Sequence, residues 1–338
     1  MIHLVQISNG TARKVAIVDE PHLRCLNNVQ SIYELVQQCL RVGGNLSEYA
    51  QQLLSEDYLD YNAVYSGTSD WHLLAPIDVP GAPSRLIVTG TGLTHLGSAK
   101  DRQAMHIVDR SETSEPLTDS MRMFRWGVEA GRPESGKAGV APEWFYKGTG
   151  SMLQPPFAPL TVPHFAEDGG EEAELAGIYI IGEDARPYRI GMSVGNEFSD
   201  HKFEKLNYLN LAGSKLRSCS LGPELVVGAD FQSVNGEVTI LRDHQAIWSK
   251  SIATGEDNMC HSLANLEHHH FKFEGHRQQG EVHVHFFGAH SLSFGEGIRL
   301  QNGDWMDIRY DGFGRPLRNP VRIESGNSPQ LVQVTPLL

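Results

Sequence analysis

The chain is short of the features that announce most binding chemistries. It has four cysteines, Cys25, Cys39, Cys219 and Cys260, and no CxxC pair. That argues against a disulfide framework and against a cysteine-based zinc site, and it reads as reduced, mostly buried thiols. Basic residues are too few for a nucleic-acid footprint: 28 Lys and Arg stand against 41 Asp and Glu, for a formal charge of -13, and they are scattered. No apolar run reaches transmembrane length, and Met1 to Gln6 leads straight into strand-like sequence without a basic region. The expectation is a cytoplasmic protein with neither a membrane nor a nucleic-acid partner. There is no P-loop, no HExxH and no internal repeat, and Gly90-Thr91-Gly92 lacks the rest of a dinucleotide fingerprint.

What is present is ample core material. Hydrophobic residues make up 40% of 338 positions, enough for one large domain with a smaller appendage. The spacing predicts a small α+β N-terminal domain over residues 1–80 and a main domain over 85–330. In the first, short apolar runs flank Asn9-Gly10, a hairpin signal. Ser31 with Glu34 fits a capping box, and Ile32, Leu35, Val36, Cys39 and Leu40 follow at helical spacing until Gly43-Gly44. Ser47 is expected to cap a second helix carrying Leu53 and Leu54. Residues 97–139 are polar with helix-like pieces, the composition of a lid or of any surface excursion. After residue 172 many short alternating segments, separated by turn glycines, favour a curved mixed β structure over a doubly wound sheet.

Glu172-Ala173-Glu174 carries the chemistry. Residues two apart on a strand face one side, so Glu172 and Glu174 can share a cation while Glu171 points away. From spacing alone a solvated acidic turn is an equal reading, because Glu167-Asp168-Gly169-Gly170 lies just upstream. Two features favour the metal: an apolar run follows directly, and Glu197 comes after Asn196 at the end of another alternating strand. Carboxylates gathered near a core repel unless they are protonated or share a cation. An all-oxygen site suits Mg2+, with Mn2+ or Ca2+ as alternatives. His268-His269-His270 is a poor zinc site, since consecutive residues cannot all face one ion in regular structure. His283 and His285 share a strand face and either line a cavity or form a satisfied pair.

Glu172-Ala173-Glu174, Gly195-Asn196-Glu197-Phe198-Ser199, Lys215, Leu221-Gly222-Pro223 and the tail from Gly312 to Asn319 occur in an order that resembles the fumarylacetoacetate hydrolase superfamily, over roughly residues 85 to 322. The resemblance implies a mixed α/β protein with a predominantly β catalytic domain, the family's β-roll. It also implies a divalent metal that holds a substrate's carboxylate and 2-oxo groups, and a homodimer. Pro142-Glu143-Trp144-Phe145-Tyr146-Lys147 and Asn207-Tyr208-Leu209-Asn210-Leu211 resemble the sugar-acid dehydratase branch, which acts on 2-keto-3-deoxypentonates. The third ligand departs from the usual aspartate, being Glu197. The arginine that usually follows is replaced by Asp200-His201-Lys202, so His201 or Lys202 is the expected substitute.

The metal ligands implied are Glu172, Glu174 and Glu197. Glu143 is implied as the base that removes a C3 proton, and Lys215 as the group that neutralises the bound acid. Lys147 is either an anchor behind the site or a surface lysine, and His95 is a proton donor to the leaving hydroxyl. Thr94, Ser199, His201, Lys202, His290 and Ser291 are the implied substrate contacts. A hydrolase of this superfamily needs a His-x-x-Glu dyad, and His95 has no glutamate three positions on. The expectation is therefore a metal-dependent dehydratase making 2,5-dioxopentanoate from a small 2-keto acid. The alternative is a carbon–carbon bond hydrolase of a 2,4-diketo-3-deoxy sugar acid.

Overall fold

The structure, a computed structural model, describes residues 1–97, 99–100, 118–326 and 331–337. Much of the stretch read as a lid or surface excursion, residues 101–117, lies outside the described residues.

The chain opens with β1 (Ile2–Ser8), β2 (Arg13–Asp19) and β3 (His22–Leu26), followed by α1 (Ile32–Val42), α2 (Leu46–Gln52), β4 (Leu54–Asp60), α3 (Tyr61–Ser66) and β5 (His72–Leu73). Next come β6 (Leu86–Gly90), α4 (Asp119–Ala130), β7 (Phe145–Thr149), β8 (Leu153–Gln154) and β9 (Leu160–Val162). The long pair β10 (Ala173–Ile181) and β11 (Pro187–Asn196) leads to α5 (His201–Leu206) and α6 (Leu211–Lys215). The remainder is β12 (Cys219–Leu221), β13 (Leu225–Val227), β14 (Val234–Arg242), β15 (Gln245–Thr254), α7 (Leu263–Phe271), β16 (Val282–Phe286), β17 (Trp305–Tyr310) and β18 (Leu317–Ile323).

Two sheets organise these strands. The larger runs β4-β3-β2-β1-β13-β11-β10-β16-β6-β7, with β5, β8 and β12 off the main path, and the smaller runs β15-β14-β17-β18-β9. The fold is thus mixed α/β with a dominant β body. Every residue of β10 is buried because both of its faces are covered. On one side Ala176, Ile178 and Ile180 pack with Ile32, Leu35 and Val36 of α1. On the other, Ala173 and Leu175 pack with Val238, Ile308 and Leu317 of the smaller sheet.

The N-terminal segment joins the larger sheet directly, since β1 pairs antiparallel with β13 from Ile2↔Val227 to Leu4↔Leu225. The buried Glu224 reinforces that join. Its carboxylate accepts from the Tyr61 hydroxyl at 2.8 Å and from the Arg315 N–H at 3.1 Å, and it lies 2.6 Å from His3 Nδ1. Gly314 sits at φ +81°, where a Cβ would come within 2.0 Å of that carboxylate, so glycine is required there for approach as well as for the turn.

Local signals hold with three changes. Ser31 accepts from Glu34 N–H at 3.0 Å, while the Glu34 carboxylate reaches one residue further back, to Gln30 N–H at 2.9 Å. The second helix is capped by Asn45 rather than Ser47: its side-chain oxygen accepts from both Ser47 and Glu48 N–H, so the helix starts earlier. It then ends before Leu53, and Leu54 begins β4 instead of continuing the helix.

Candidate metal centre

The register of β10 and β11 builds the site. Ala173 pairs with Asn196 and Glu174 with Gly195, which brings Glu172, just ahead of β10, opposite Glu197, just past β11. The Glu197 N–H closes this end by donating to Glu172 O at 3.0 Å. One carboxylate oxygen from each of Glu172, Glu174 and Glu197 lies within 4.8 Å of the others, and all three side chains are buried. The close approach depends on Gly90 at the end of β6, where a Cβ would fall 2.1 Å from Glu197 Oε1 and 2.5 Å from the Phe145 ring.

One lysine answers the three acids. Lys215, fully buried at the end of α6, donates from Nζ to Glu172 Oε1 and, at 3.0 Å, to Glu197 Oε2. Its ammonium sits 4.6 Å from the centre of the Phe145 ring. His201 Nε2 faces Glu172 Oε1 at 3.2 Å. The backbone N–H of Gly288 donates to Glu174 Oε2 at 2.7 Å. Among the described residues, the buried Glu174 Oε1 and Glu197 Oε1 find no hydrogen-bond partner.

The charges are unbalanced without a cation. Burial, and then the Glu197 and Glu172 charges, push the Glu174 carboxyl well above the carboxylate range. Burial pushes Glu197 to about 7 against the pull of Lys215. Burial alone would lower His201, but its hydrogen bond to Glu172 and the Glu172 and Asp168 charges outweigh it and raise the pKa. Two orphaned carboxylate oxygens aimed into a buried cluster fit a hard divalent cation, which replaces the missing hydrogen bonds and relieves the repulsion. The cluster is able to coordinate a divalent metal, and its all-oxygen donor set is consistent with Mg2+.

The Glu143 segment approaches from β7. Glu143, Phe145 and Lys147 are buried while Trp144 and Tyr146 between them are 38% and 43% exposed, the alternation of a strand with one covered face. Lys147 donates from Nζ to the carbonyls of Phe198 and Lys215, and burial lowers it to about 8. It therefore ties β7 to the chain around Glu197 and Lys215. The Tyr208 hydroxyl donates to Glu143 Oε1 at 3.4 Å.

The other expected contacts separate into groups. Ser199 is buried and donates to Glu197 O at 2.6 Å. Lys202 turns outward and pairs with Glu167 at 3.1 Å, its side chain about half exposed, so it does not join the cluster as His201 does. Thr94 Oγ1 donates to Phe287 O at 2.7 Å and lies 2.9 Å from His95 Nδ1. His95 Nε2 faces Thr254 Oγ1 at 3.1 Å, and burial lowers its pKa to about 3, favouring the neutral ring. His290 lies beside His95 with its Nδ1 on Ala253 O at 3.0 Å, and Ser291 is buried in the same loop. This second group meets the cluster at Gly288, which packs against Thr94 and bonds Glu174.

Three supporting residues carried no sequence signal. Glu171 does point away from the cluster, yet it is buried and accepts from Ser293 N–H at 2.8 Å and Ser293 Oγ at 2.7 Å, pinning the loop after Gly288. Asp200 accepts from Glu167, Asp168 and Phe203 N–H, and Arg217 donates to it from Nη2 at 2.9 Å and to Asp168 O from Nη1 at 2.7 Å. The arginine expected after Glu197 is absent, and the buried arginine of this region comes from the far side of α6. It supports the loop leading to Glu172.

No family model matches the chain, and no curated protein sequence matches it. Solved structures do. The apo form of 2-keto-3-deoxy-D-arabinonate dehydratase superposes with a TM-score of 0.70 at 16% identity, over 96% of this chain and 100% of that one. The fold is shared. The same dehydratase complexed with magnesium and 2,5-dioxopentanoate gives 0.69 at 16% identity over 96% and 100%. A fumarylacetoacetate hydrolase from Exiguobacterium antarcticum gives 0.61 at 18% identity, again over 96% and 100%. The architecture is thus of the fumarylacetoacetate hydrolase type. Among the described residues no helix is long and apolar enough to cross a membrane.

Proposed function

We propose that the protein is a metal-dependent dehydratase of a 2-keto-3-deoxy sugar acid, converting a 2-keto-3-deoxypentonate to 2,5-dioxopentanoate. The observation that carries the reading is the buried Glu172, Glu174 and Glu197 cluster with two unpartnered oxygens, joined by Lys215. The shared fold with a dehydratase complexed with magnesium and 2,5-dioxopentanoate supports it.

The three glutamates would hold the cation, Mg2+ in this reading, which supplies Lewis acidity and a template for an α-keto carboxylate. The chain's own residues account for the rest. Lys215 balances charge between Glu172 and Glu197 and sets a positive end where negative charge grows in the substrate. Glu143 takes the C3 proton. Its side chain is buried, and the Tyr208 hydroxyl donates to the carboxylate. Once protonated, Glu143 can return the proton to the departing C4 hydroxyl, so the elimination consumes no net acid. This replaces His95 as proton donor, because the two ring nitrogens of His95 face hydroxyls and the neutral ring is favoured. Tautomerisation of the eliminated product then gives the dioxo acid.

The test is to incubate the protein and Mg2+ with individual 2-keto-3-deoxy sugar acids and read product masses. Dehydration lowers the mass by one water and stops on chelation and in Glu143→Gln. With the corresponding 2,4-diketo-3-deoxy sugar acid as a second substrate, two fragments that together gain one water would instead establish carbon–carbon hydrolysis.

A further inference from the structure

The histidine run His268-His269-His270 ends α7, and two of its members hold the segment that leads into Glu143. Glu143 and Trp144 precede Phe145, the first residue of β7, which is laddered to β6 through Gly90↔Phe145. The strand lies at the end of its sheet, so cross-strand pairing with β6 stops short of the proposed base. Beyond the Val140 N–H bond to Ala130 O at 3.0 Å and the Tyr208 bond to Glu143, residues 139–144 are held from α7. Asn265 donates to Val140 O at 2.9 Å and accepts from Gly139 N–H at 2.8 Å. One turn on, His269 Nε2–H donates to Gly139 O at 3.0 Å. The Trp144 indole N–H donates to His270 Nδ1 at 3.2 Å, and the indole stacks on His276 with ring centres 5.6 Å apart.

The hydrogen-bond chain fixes one tautomer. An indole N–H can only donate, so His270 Nδ1 carries the lone pair and its proton sits on Nε2. That proton goes to His283 Nδ1 at 3.0 Å. The His270 ring also stacks on His285, which is held at Nδ1 by Thr89 Oγ1 and at Nε2 by Thr91 Oγ1, each at 2.8 Å. His270 is thereby locked from below by β16 and β6, with one acceptor turned to Trp144.

We propose that His270 is a positioning residue: by accepting the Trp144 indole hydrogen bond it fixes the 139–144 segment and, through the adjoining peptide, the Glu143 carboxylate. The inference rests on the reading of Glu143 as the base. Trp144 and Glu143 project to opposite sides of one extended segment, so a rotation that frees the indole swings the carboxylate.

The experiment compares His270→Phe, His270→Asn, Trp144→Phe and the His270→Phe/Trp144→Phe double variant with the parent, using 2-keto-3-deoxy-arabinonate and Mg2+. A misplacement of about 1 Å can cost about 100-fold in rate, so His270→Phe and Trp144→Phe should each lower kcat about 10- to 100-fold with KM unchanged. The double variant should be no slower than either, because both remove one interaction. His270→Asn places an amide oxygen near the Nδ1 position and should recover most of the loss. Hydrogen–deuterium exchange over residues 139–144 should accelerate in His270→Phe and in Trp144→Phe, and this readout needs no turnover. Should His270→Phe fail to fold, Trp144→Phe, on a partly exposed side chain, carries the comparison. Full kcat or unchanged exchange in Trp144→Phe, or an Asn variant as slow as the Phe variant, overturns the clamp. Glu143→Gln is read in parallel: turnover surviving there overturns the base assignment instead.

Discussion

Lys215 Nζ and Glu197 Oε2 stand 3.0 Å apart, and neither side chain reaches solvent. A buried pair of this kind is costly to break from one side, because the partner left behind keeps its charge in a poorly solvated place. Lys215→Met is therefore expected to destabilise the metal-free protein by about 3–5 kcal/mol. Urea unfolding with chelator checks this. Adding Mg2+ should recover part of the loss, since a cation neutralises the same carboxylates.

Metal removal has a pH signature. Glu197 is raised from 4.5 to about 7, so the folded metal-free protein holds its proton more tightly than the unfolded chain does. A carboxyl whose folded pKa lies above its unfolded value adds stability that is full below about 4.5 and is lost as pH climbs through about 7. Chelated protein should lose stability over that window, and Mg2+ should stabilise more at pH 8 than at pH 5. Thermal unfolding with and without Mg2+ across the window gives the answer. A Mg2+ effect that is flat with pH would count against a cation on Glu197.

Gly90→Ala should abolish divalent-cation binding, because a methyl group 2.1 Å from Glu197 Oε1 forces the carboxylate out of the cluster. Titration calorimetry with Mn2+ reads the loss. Circular dichroism should still report a folded β protein, since the displaced groups are two side chains, Glu197 and Phe145.

His285 sets an opposite pH limb. Burial lowers its pKa from 6.5 to about 3, with His276 adding to the effect. Stability tied to the neutral ring is full above about 6.5 and falls as pH drops towards 3, by about 1.4 kcal/mol per pH unit for one group. His285→Gln, which does not titrate there, should flatten the slope of unfolding free energy between pH 6 and 4.

Arg217→Met should cost less than Asp200→Ala. With the arginine gone, Asp200 still accepts from three backbone N–H groups. With the aspartate gone, those donors lose their partner and a buried guanidinium keeps only the Asp168 carbonyl, a loss of about 3–5 kcal/mol. Paired urea denaturation curves measure the difference.

What the sequence makes readable follows from period and order. The two-residue step from Glu172 to Glu174 fixes a common face, and the strand pattern ahead of Asn196 fixes where Glu197 emerges. Burial of Lys215 is not readable in this way, because a five-residue helix offers no period and its partners lie 18 and 43 positions away. Nor is the role of His269 and His270, whose partners on residues 139 and 144 are set by tertiary packing alone. Glu171 illustrates a third gap: alternation turns it from the cluster correctly, yet only the fold supplies Ser293 to meet it. Lys202 shows the reverse, a charge near the site in order that the α5 turn carries to the surface.

The pairing of β1 with β13 also has a practical result. Residues 1–80 shield a row of main-chain donors and acceptors on Leu225–Val227, and α1 roofs the apolar side of β10. A truncated protein starting near residue 85 would bare both at once, an open strand border beside greasy surface, and such borders recruit further chains into aggregates. Residues 1–80 thus cover strand border and apolar surface that the rest of the chain would otherwise expose.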